Sequence, residues 1–145
     1  MSRSTKKGPY VDAKLLKKVQ VLNKAVEAAG YKGMAATLTR DSLLRNLDIA
    51  DKLGCLTATG LAEMKRGRAA TVMRGPYAGD QLSVDHIIPR AVVPELDNAI
   101  ANLELMPLRL NEKKHFHMGQ RQRDLTQKLF EAGLLSRAGR DKVVR

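Results

Sequence analysis

Only two short stretches of the chain alternate apolar and polar residues in the manner of a β-strand, residues 81–85 and residues 102–106. Pro107 closes the second stretch. The residues between the two stretches include two prolines, so a wandering loop rather than a tight hairpin is expected there. Most other long stretches carry apolar residues at helical spacing. Two strands among several helices predict an α+β fold that is mainly α.

Three helices are predicted before the first strand. The first begins at the capping residue Asp12 and ends at Gly30. Its lysines lie largely away from an apolar stripe that consists of Leu15, Leu16, Val19, Leu22 and Val26. A second helix is expected to begin after Thr39 and to stop at Gly54, and a short third helix is expected to follow Thr59.

The C-terminal half is predicted to form a loop over residues 66–80, the two strands and one long helix. This helix begins near Asn111, can kink at Gly119 and ends at Gly133. The predicted organisation is a basic arm with an amphipathic helix, a helical segment with a loop, a strand and helix core, and a basic tail. Their boundaries are residues 1–30, 31–79, 80–133 and 134–145.

The charge distribution points to a polyanionic partner. The chain has 26 Lys and Arg against 15 Asp and Glu, and a formal net charge of +11. Residues 1–24 and 109–145 each carry a net charge of +6, whereas the middle of the chain is nearly neutral. Two basic ends around a neutral centre suit a clamp on a phosphate backbone, so nucleic acid is the expected partner. Two solvated helix faces would produce the same composition.

Composition also excludes several classes of protein. The single cysteine, Cys55, allows neither an intrachain disulfide nor a cysteine-based zinc knuckle. No apolar run is long enough to span a bilayer or to serve as a secretory signal, so a soluble, cytoplasmic protein without a membrane partner is expected. Aromatic residues make up only 3% of the chain, and stacking on them is not expected to dominate ligand binding.

Three blocks follow one another in the second half of the chain. They are D-H-I-I-P from residue 85, N-L-E-L-M-P from residue 102 and N-E-K-K from residue 111. Their order and spacing resemble HNH endonucleases over about residues 80–118. The resemblance implies a ββα-metal core, with two antiparallel strands and a helix. It also implies metal-dependent hydrolysis of phosphodiester bonds, with double-stranded DNA as the expected substrate and RNA as a second possibility.

The same resemblance assigns roles to four residues. His86 is expected to be the general base, because a neutral imidazole accepts a proton near pH 7. Asp85 and Asn111 are expected to hold one divalent ion, and hard oxygen ligands of this kind suit Mg²⁺. Asn102 is expected to tie down the loop that carries His86, because an amide donates and accepts hydrogen bonds at once.

Some of these assignments have rivals in the sequence. Asn98 competes with Asn102, which is preferred because it directly precedes a leucine and opens the second strand. An asparagine at a helix start can also be a simple cap, and this alternative stays open for Asn111. His115, four residues further on, shares the predicted helix face of Asn111 and could touch a metal or a phosphate. His117 is expected to point elsewhere as a solvated residue.

Further basic residues near the predicted site are expected to contact phosphates. Arg74 and Tyr77, in the segment R-G-P-Y before the first strand, could line the cleft of the predicted site. A simple structural role in the loop is an equally good explanation for both residues. The others lie at or after the third block and are Lys113, Lys114, Arg121 and Arg123.

The opening residues, with R-S-T-K-K-G-P, then V-D, then L-L-K-K-V, resemble the start of bacterial small-subunit ribosomal protein nineteen over residues 1–23. The resemblance implies a basic arm and a helix that pack on ribosomal RNA and a neighbouring protein. Lys6, Lys7, Lys17 and Lys18 would then contact phosphates. A nucleic-acid clamp ranks first among the explanations, placement on a ribosome second and convergence third. The alternative function is therefore a non-catalytic RNA-binding or ribosome-associated protein that retains an HNH core.

Overall fold

A computed structural model describes residues 13–115 and 117–144. In chain order the helices and strands are α1 (Ala13–Ala28), α2 (Gly33–Lys52), α3 (Ala58–Lys65), β1 (Leu82–His86), β2 (Leu103–Pro107), α4 (Leu108–Lys113), α5 (Gln120–Glu131) and α6 (Arg137–Val143). Two short 3₁₀ turns, Pro94–Leu96 and Ile100–Asn102, lie between the strands. The protein is thus α+β and mainly helical, as the sequence predicts.

The two strands pair antiparallel and form a small sheet. Asp85 lies opposite Glu104 and His86 opposite Leu103. Each strand begins and ends one residue later than the alternation predicts. Helix α2 lies against β2, where the amide of Asn46 donates to the carbonyl of Leu103 at 3.0 Å and accepts from the N–H of Leu105 at 3.0 Å. This amide continues the hydrogen bonding of β2 into the helical layer.

Two apolar clusters hold the described elements together. The larger joins the loop after β1 to α5 and the C-terminal region, through Ile88, Val93, Leu96, Ala101, Leu129 and Leu135. The smaller joins α2 to the loop before β1, through Ala50, Cys55, Ala70 and Val72. The sheet therefore lies between two packed regions, which fix the ends of β1 and β2. No helix in the described ranges is long and apolar enough to cross a membrane.

The apolar stripe of α1 is less covered than predicted. Val26 is buried, whereas Leu15 and Leu16 are 45% and 49% exposed. Packing against α2 covers α1 mainly near its C-terminal end, which explains the difference. Gly30, with φ of 93°, follows the helix as predicted, because only glycine adopts this backbone conformation without strain. The predicted cap, Asp12, lies outside the described residues.

The starts of α2 and α3 differ from the predictions. Thr39 does not precede α2 but lies inside it, because its hydroxyl donates to the carbonyl of Ala35 at 2.8 Å instead of capping a new helix. The helix begins at Gly33, after an extended residue at Lys32. Helix α3 is capped by Thr57, whose side chain accepts from the N–H of Gly60 at 3.1 Å.

The predicted long C-terminal helix is wrong, because it consists of two helices. Helix α4 ends at Lys113, and Lys114 is extended, with φ of −69° and ψ of 126°. The ammonium group of Lys114 pairs with Asp85 of β1. The next helix starts afresh after Gly119, whose N–H donates to the side chain of Gln122 at 2.9 Å.

The predicted basic tail also contains a helix. Ser136 caps α6 by accepting from the N–H of Gly139 at 3.0 Å. Glu95, from the loop between the strands, accepts from the hydroxyl of Ser136 at 2.6 Å and from its N–H at 3.1 Å. The C-terminal helix is therefore fastened to the loop that follows β1.

Candidate functional site

One open cavity of about 330 Å³ lies beside β1. Its walls come from β1, the turn after it, α4 and the segment between α4 and α5. The chemistry-bearing side chains around it are Asp85, His86, Arg90, Asn111, Lys114, His115, His117 and Gln122. The structure thus brings together the predicted residues Asp85, His86, Asn111, Lys114 and His115 around one cavity.

Asp85 is the carboxylate of this cavity. Its side chain is only 12% exposed and forms an ion pair with Lys114. Lys114 was predicted to contact phosphate, but in this structure its charge is directed at Asp85. The pair connects β1 to the segment after α4.

His86, the last residue of β1, is oriented by Asp97. Its Nε2 atom lies 3.0 Å from the carbonyl oxygen of Asp97 and 3.1 Å from its Oδ1 atom. Arg90 Nε lies 3.4 Å from the same carboxylate oxygen. The loop between the strands therefore holds the imidazole at its Nε2 atom through both the backbone and the side chain of Asp97. Asp97 was not predicted as a site residue, because eleven positions separate it from His86 and only the folded loop brings them together.

Asn102 lies behind the cavity and is completely buried. Its Oδ1 atom accepts from the N–H of Ile88 at 2.8 Å, and its Nδ2 atom donates to the carbonyl of Ile88 at 3.0 Å. Gln122 adds a bond from its Nε2 atom to the carbonyl of Ile87 at 3.3 Å. Both amides fix the turn that leaves β1 directly after His86. No sequence signal singles out Gln122, because its partner is 35 positions away.

Asn111 lies within α4, which begins at Leu108, so the alternative of an N-terminal cap is wrong. Its Nδ2 atom donates to the hydroxyl of Ser83 and to the carbonyl of Val84, each at 3.2 Å. A carbonyl can only accept, so the amide nitrogen must face β1. The amide oxygen of Asn111 takes part in neither of these hydrogen bonds.

The two histidines after α4 both line the cavity. His115 follows the end of α4 rather than continuing its face, because the helix stops at Lys113. The expectation that His117 points away from the site is wrong, since it lines the cavity, whereas its exposure agrees with the expected solvated residue. Gly119 permits this approach, because a Cβ atom there would lie 2.9 Å from His117 Nε2.

A half-buried acidic residue, Glu104, organises the positive charges next to the cavity. Arg121 Nη2 lies 2.6 Å and Arg45 Nε lies 3.5 Å from its Oε2 atom. Burial acts to raise the pKa of Glu104, but the hydrogen bond and charge of Arg121, with the charges of Arg45 and Lys114, outweigh it and lower the pKa. Arg121, predicted as a phosphate contact, is therefore engaged with a carboxylate of its own chain.

The other predicted basic contacts have various partners. Arg123 Nη1 donates to the carbonyl of Met118 at 3.3 Å, and Arg74 Nη1 donates to that of Asp51 at 3.4 Å. Lys113 Nζ lies 5.8 Å from the centre of the Tyr77 ring. These three residues do not line the cavity.

Helix α1 presents a second basic surface, distinct from the cavity. Lys17 and Lys18 are exposed and line an open groove together with Lys14, Val21, Leu22 and Leu47. The other two predicted N-terminal contacts, Lys6 and Lys7, lie outside the described residues.

The donor set of the cavity limits the metals it could hold. Within residues 13–115 and 117–144, no group of three or more His, Cys, Asp or Glu side chains is arranged to hold a metal ion. A cation would depend on the Asp85 carboxylate and the Asn111 amide oxygen. This pair suits Mg²⁺, which binds few protein oxygens and retains water ligands, better than Zn²⁺.

Comparisons with known proteins relate part of the chain to a ribosomal protein. The chain is 54% identical over 44 residues to small ribosomal subunit protein uS19 of Thermosipho africanus, which covers 30% of this chain and 42% of that protein. It is 52% identical over 44 residues to uS19 of Thermosipho melanesiensis, with the same coverage, and 52% identical over 42 residues to uS19 of Clostridioides difficile, with coverage of 29% and 41%. The chain spans less than half the length of these relatives.

No family model matches the chain, and no solved structure matches it. The resemblance to HNH endonucleases therefore gains no support, whereas the resemblance to the ribosomal protein does.

These comparisons correct the prediction of an enzyme. The relatives are named as ribosomal proteins and not as hydrolases, so the descriptions nuclease, endonuclease and hydrolase are wrong, and DNA as the partner gains no support. The roles of His86 as general base and of Asn102 as its catalytic support were part of that prediction, and no observation tests them separately. Their geometry remains, as a buried and well-fixed turn beside an open polar cavity.

Proposed function

We propose that the chain is a non-catalytic, cytoplasmic protein that binds ribosomal RNA and associates with the small ribosomal subunit. The observation that carries this proposal is the 54% identity over 44 residues with a protein whose name places it in that subunit. Because the match covers 42% of the relative, this chain would share a part of its contacts and add its own to them. The cavity and the C-terminal helices would then belong to the added part.

Helix α1 supports RNA as the ligand. It carries four lysines against one glutamate, Glu27, and all four lysines are exposed. One side of this positively charged helix is not covered by the rest of the protein. Such a surface suits the phosphate backbone of a folded RNA, because phosphates that are neutralised by lysines release their counterions. Lys17 and Lys18 occupy consecutive positions on the exposed side, and we assign phosphate contacts to both.

The test is a salt titration of binding to small-subunit ribosomal RNA. Replacing Lys17 and Lys18 together by alanine should reduce the slope of log affinity against log salt by about 1.4 to 1.8, since each lost contact contributes roughly 0.7 to 0.9. The matched control replaces Lys52 and Lys65, two exposed lysines of α2 and α3, and should leave the slope nearly unchanged. Equal slopes in the two double variants, or tighter binding of duplex DNA by the unaltered protein, would contradict the proposal.

We also propose that Asp85 and Asn111 hold one hydrated divalent cation, Mg²⁺ in the first place. The carboxylate lies at the cavity, and the amide nitrogen of Asn111 is occupied by β1, which leaves its oxygen available. Lys114 would have to release Asp85 when the cation binds. In an RNA-binding protein the cation would link the carboxylate to a phosphate of the RNA.

Manganese tests this site without any activity assay. Substoichiometric Mn²⁺ should broaden the backbone amide resonances around Asp85 and Asn111, because a bound paramagnetic ion relaxes nearby nuclei. Asp85→Asn should abolish the broadening, and excess Mg²⁺ should reverse it in the unaltered protein. Asp48→Asn, at an exposed aspartate of α2, is the control and should behave like the unaltered protein. Broadening that survives Asp85→Asn would rule out this site.

A further inference from the structure

A tyrosine and two cations meet on the side of α4 that faces away from the cavity. The guanidinium carbon of Arg109 lies 5.6 Å and the ammonium nitrogen of Lys113 lies 5.8 Å from the centre of the Tyr77 ring. Arg109 and Lys113 are four positions apart, so they share one face of the helix. Asn111, halfway between them, faces β1 instead. This tyrosine cluster is therefore separate from the candidate functional site.

The loop that carries Tyr77 is well fixed. The N–H of Val72 donates to the backbone carbonyl of Asp80 at 2.7 Å, and the N–H of Gly79 donates to the carbonyl of Val72 at 2.7 Å. Within this closed turn the N–H of Asp80 donates to the carbonyl of Tyr77 at 3.0 Å. The ring is thus presented on a hydrogen-bonded turn and loses little conformational freedom when a ligand binds.

The cations are fixed to different degrees. The carboxylate of Asp80 accepts from the backbone N–H of Arg109 at 2.7 Å, and its Oδ2 atom lies 3.6 Å from Arg109 Nε. The backbone hydrogen bond of Arg109 is the main cause of a lowered pKa of Asp80. Lys113 has no carboxylate partner in the part of the chain that the structure describes. The cluster therefore keeps a net positive charge.

Packing alone does not account for this arrangement. Tyr77 is only half-buried and belongs to neither apolar cluster, and no described residue forms a hydrogen bond with its hydroxyl. Because Tyr77 is only half-buried, part of it remains accessible to a ligand. Phe130, by comparison, packs against the larger apolar cluster.

We propose that Tyr77 is a stacking platform for one unpaired nucleotide of RNA, with Arg109 and Lys113 binding the adjoining phosphates. A nucleobase offers a flat π-surface to the ring, and the flanking phosphates need cations within the span of one nucleotide. Bases in a duplex are already stacked, so the platform selects a loop, bulge or single strand. The inference rests on the proposed RNA binding and adds the kind of RNA element that is recognised.

The test compares two substitutions of Tyr77 on two RNA probes, a 12-nucleotide oligouridylate and a 12-base-pair RNA duplex. Tyr77→Leu removes the ring and should weaken binding of the oligouridylate by at least about fivefold, while binding of the duplex changes less than about twofold. Tyr77→Phe keeps the ring and should bind both probes like the unaltered protein. Tyr31→Leu, at another half-buried tyrosine, is the matched control and should change neither affinity.

A second measurement does not depend on the folding of a variant. Ultraviolet cross-linking of the unaltered protein to the same oligomer containing 4-thiouridine should attach a nucleotide to the peptide around Tyr77. The inference is overturned if no such cross-link forms, if Tyr77→Leu binds the oligouridylate like the unaltered protein, or if it weakens both probes equally. If instead Tyr77 is required but Lys17 and Lys18 are not, the platform stands and the proposed contacts of α1 fail.

Discussion

Asn102 shows how a single side chain determines the geometry next to the cavity. Its side-chain amide forms hydrogen bonds with both the N–H and the carbonyl of Ile88, as a neighbouring strand would do in a sheet. Asn102→Ala would leave these two groups without partners, at a cost of about 1 to 3 kcal/mol each. We expect the free energy of unfolding to fall by about 2 to 5 kcal/mol in denaturant titrations.

The control for this substitution is Asn98→Ala in the same loop. Asn98 is exposed, so its replacement should change the free energy of unfolding by no more than about 0.5 kcal/mol. A similar decrease in the free energy of unfolding for both variants would show that any substitution in this loop is destabilising. The hydrogen bonds of the buried Asn102 amide would then have no particular importance for stability.

The same loop shows which residues a sequence reveals. Asn102 stands out because it opens a strand and belongs to an ordered series of blocks, and these features are local. Asp97 and Gln122 contact the same turn from 11 and 35 positions away, and their neighbours carry no pattern that marks them. Such partners are chosen by packing in three dimensions, which periodicity along the chain does not describe.

At the scale of the element, Gly60 decides whether α3 can follow the turn before it. An alanine inside a helix normally stabilises it by up to about 1 kcal/mol relative to glycine. A Cβ atom at Gly60 would instead collide with the backbone carbonyl oxygen of Cys55, which cannot move without disturbing the smaller apolar cluster. We therefore expect Gly60→Ala to lower the thermal unfolding midpoint, whereas Thr59→Ala, at the adjacent exposed position, should hardly change it. A raised midpoint for Gly60→Ala would show that the turn yields easily.

Glu104 connects three elements, and their association should depend on pH. Its lowered pKa means that the folded protein holds this carboxylate ionised more strongly than the unfolded chain does. The resulting stabilisation is fully present above about pH 4.5, the ordinary value for glutamate, and is lost as the pH falls through the lower pKa of the folded state. Glu104→Gln should flatten the decline of the unfolding midpoint below that pH. Glu112→Gln, at an exposed glutamate of α4, should leave the decline intact.

The sequence predicts the end of a helix well where a glycine follows the helix and poorly where none does. Gly30 and Gly54 follow α1 and α2 with left-handed backbones, as their positions after apolar periods indicate. No glycine directly follows α4; the next residue, Lys114, pairs with Asp85, 29 positions earlier. The helical pattern of the sequence continues past Lys113, so it predicts one helix where the folded chain has two.

For the whole molecule, the mainly helical α+β fold with one small sheet could be predicted, because only two stretches of the sequence alternate like strands and most other long stretches have helical periodicity. The order of the helices around that sheet could not, since it depends on contacts such as those of Asn46 with β2 and of Glu95 with α6. The basic character of the two ends was evident from the sequence. How much of that charge is used internally, as in Arg121, became clear only from the structure.

The sparse burial of α1 has a consequence for local unfolding. Val26 is the one buried residue of this helix, and neither apolar cluster includes a described residue of α1. Opening α1 should therefore require less free energy than opening α5, which supplies Leu129 to the larger cluster. Hydrogen–deuterium exchange should be faster for the amides of α1, and equal protection of the two helices would contradict this. The helix can then detach and re-form while the sheet and the cavity stay intact, so a binding partner can order it without refolding the rest of the protein.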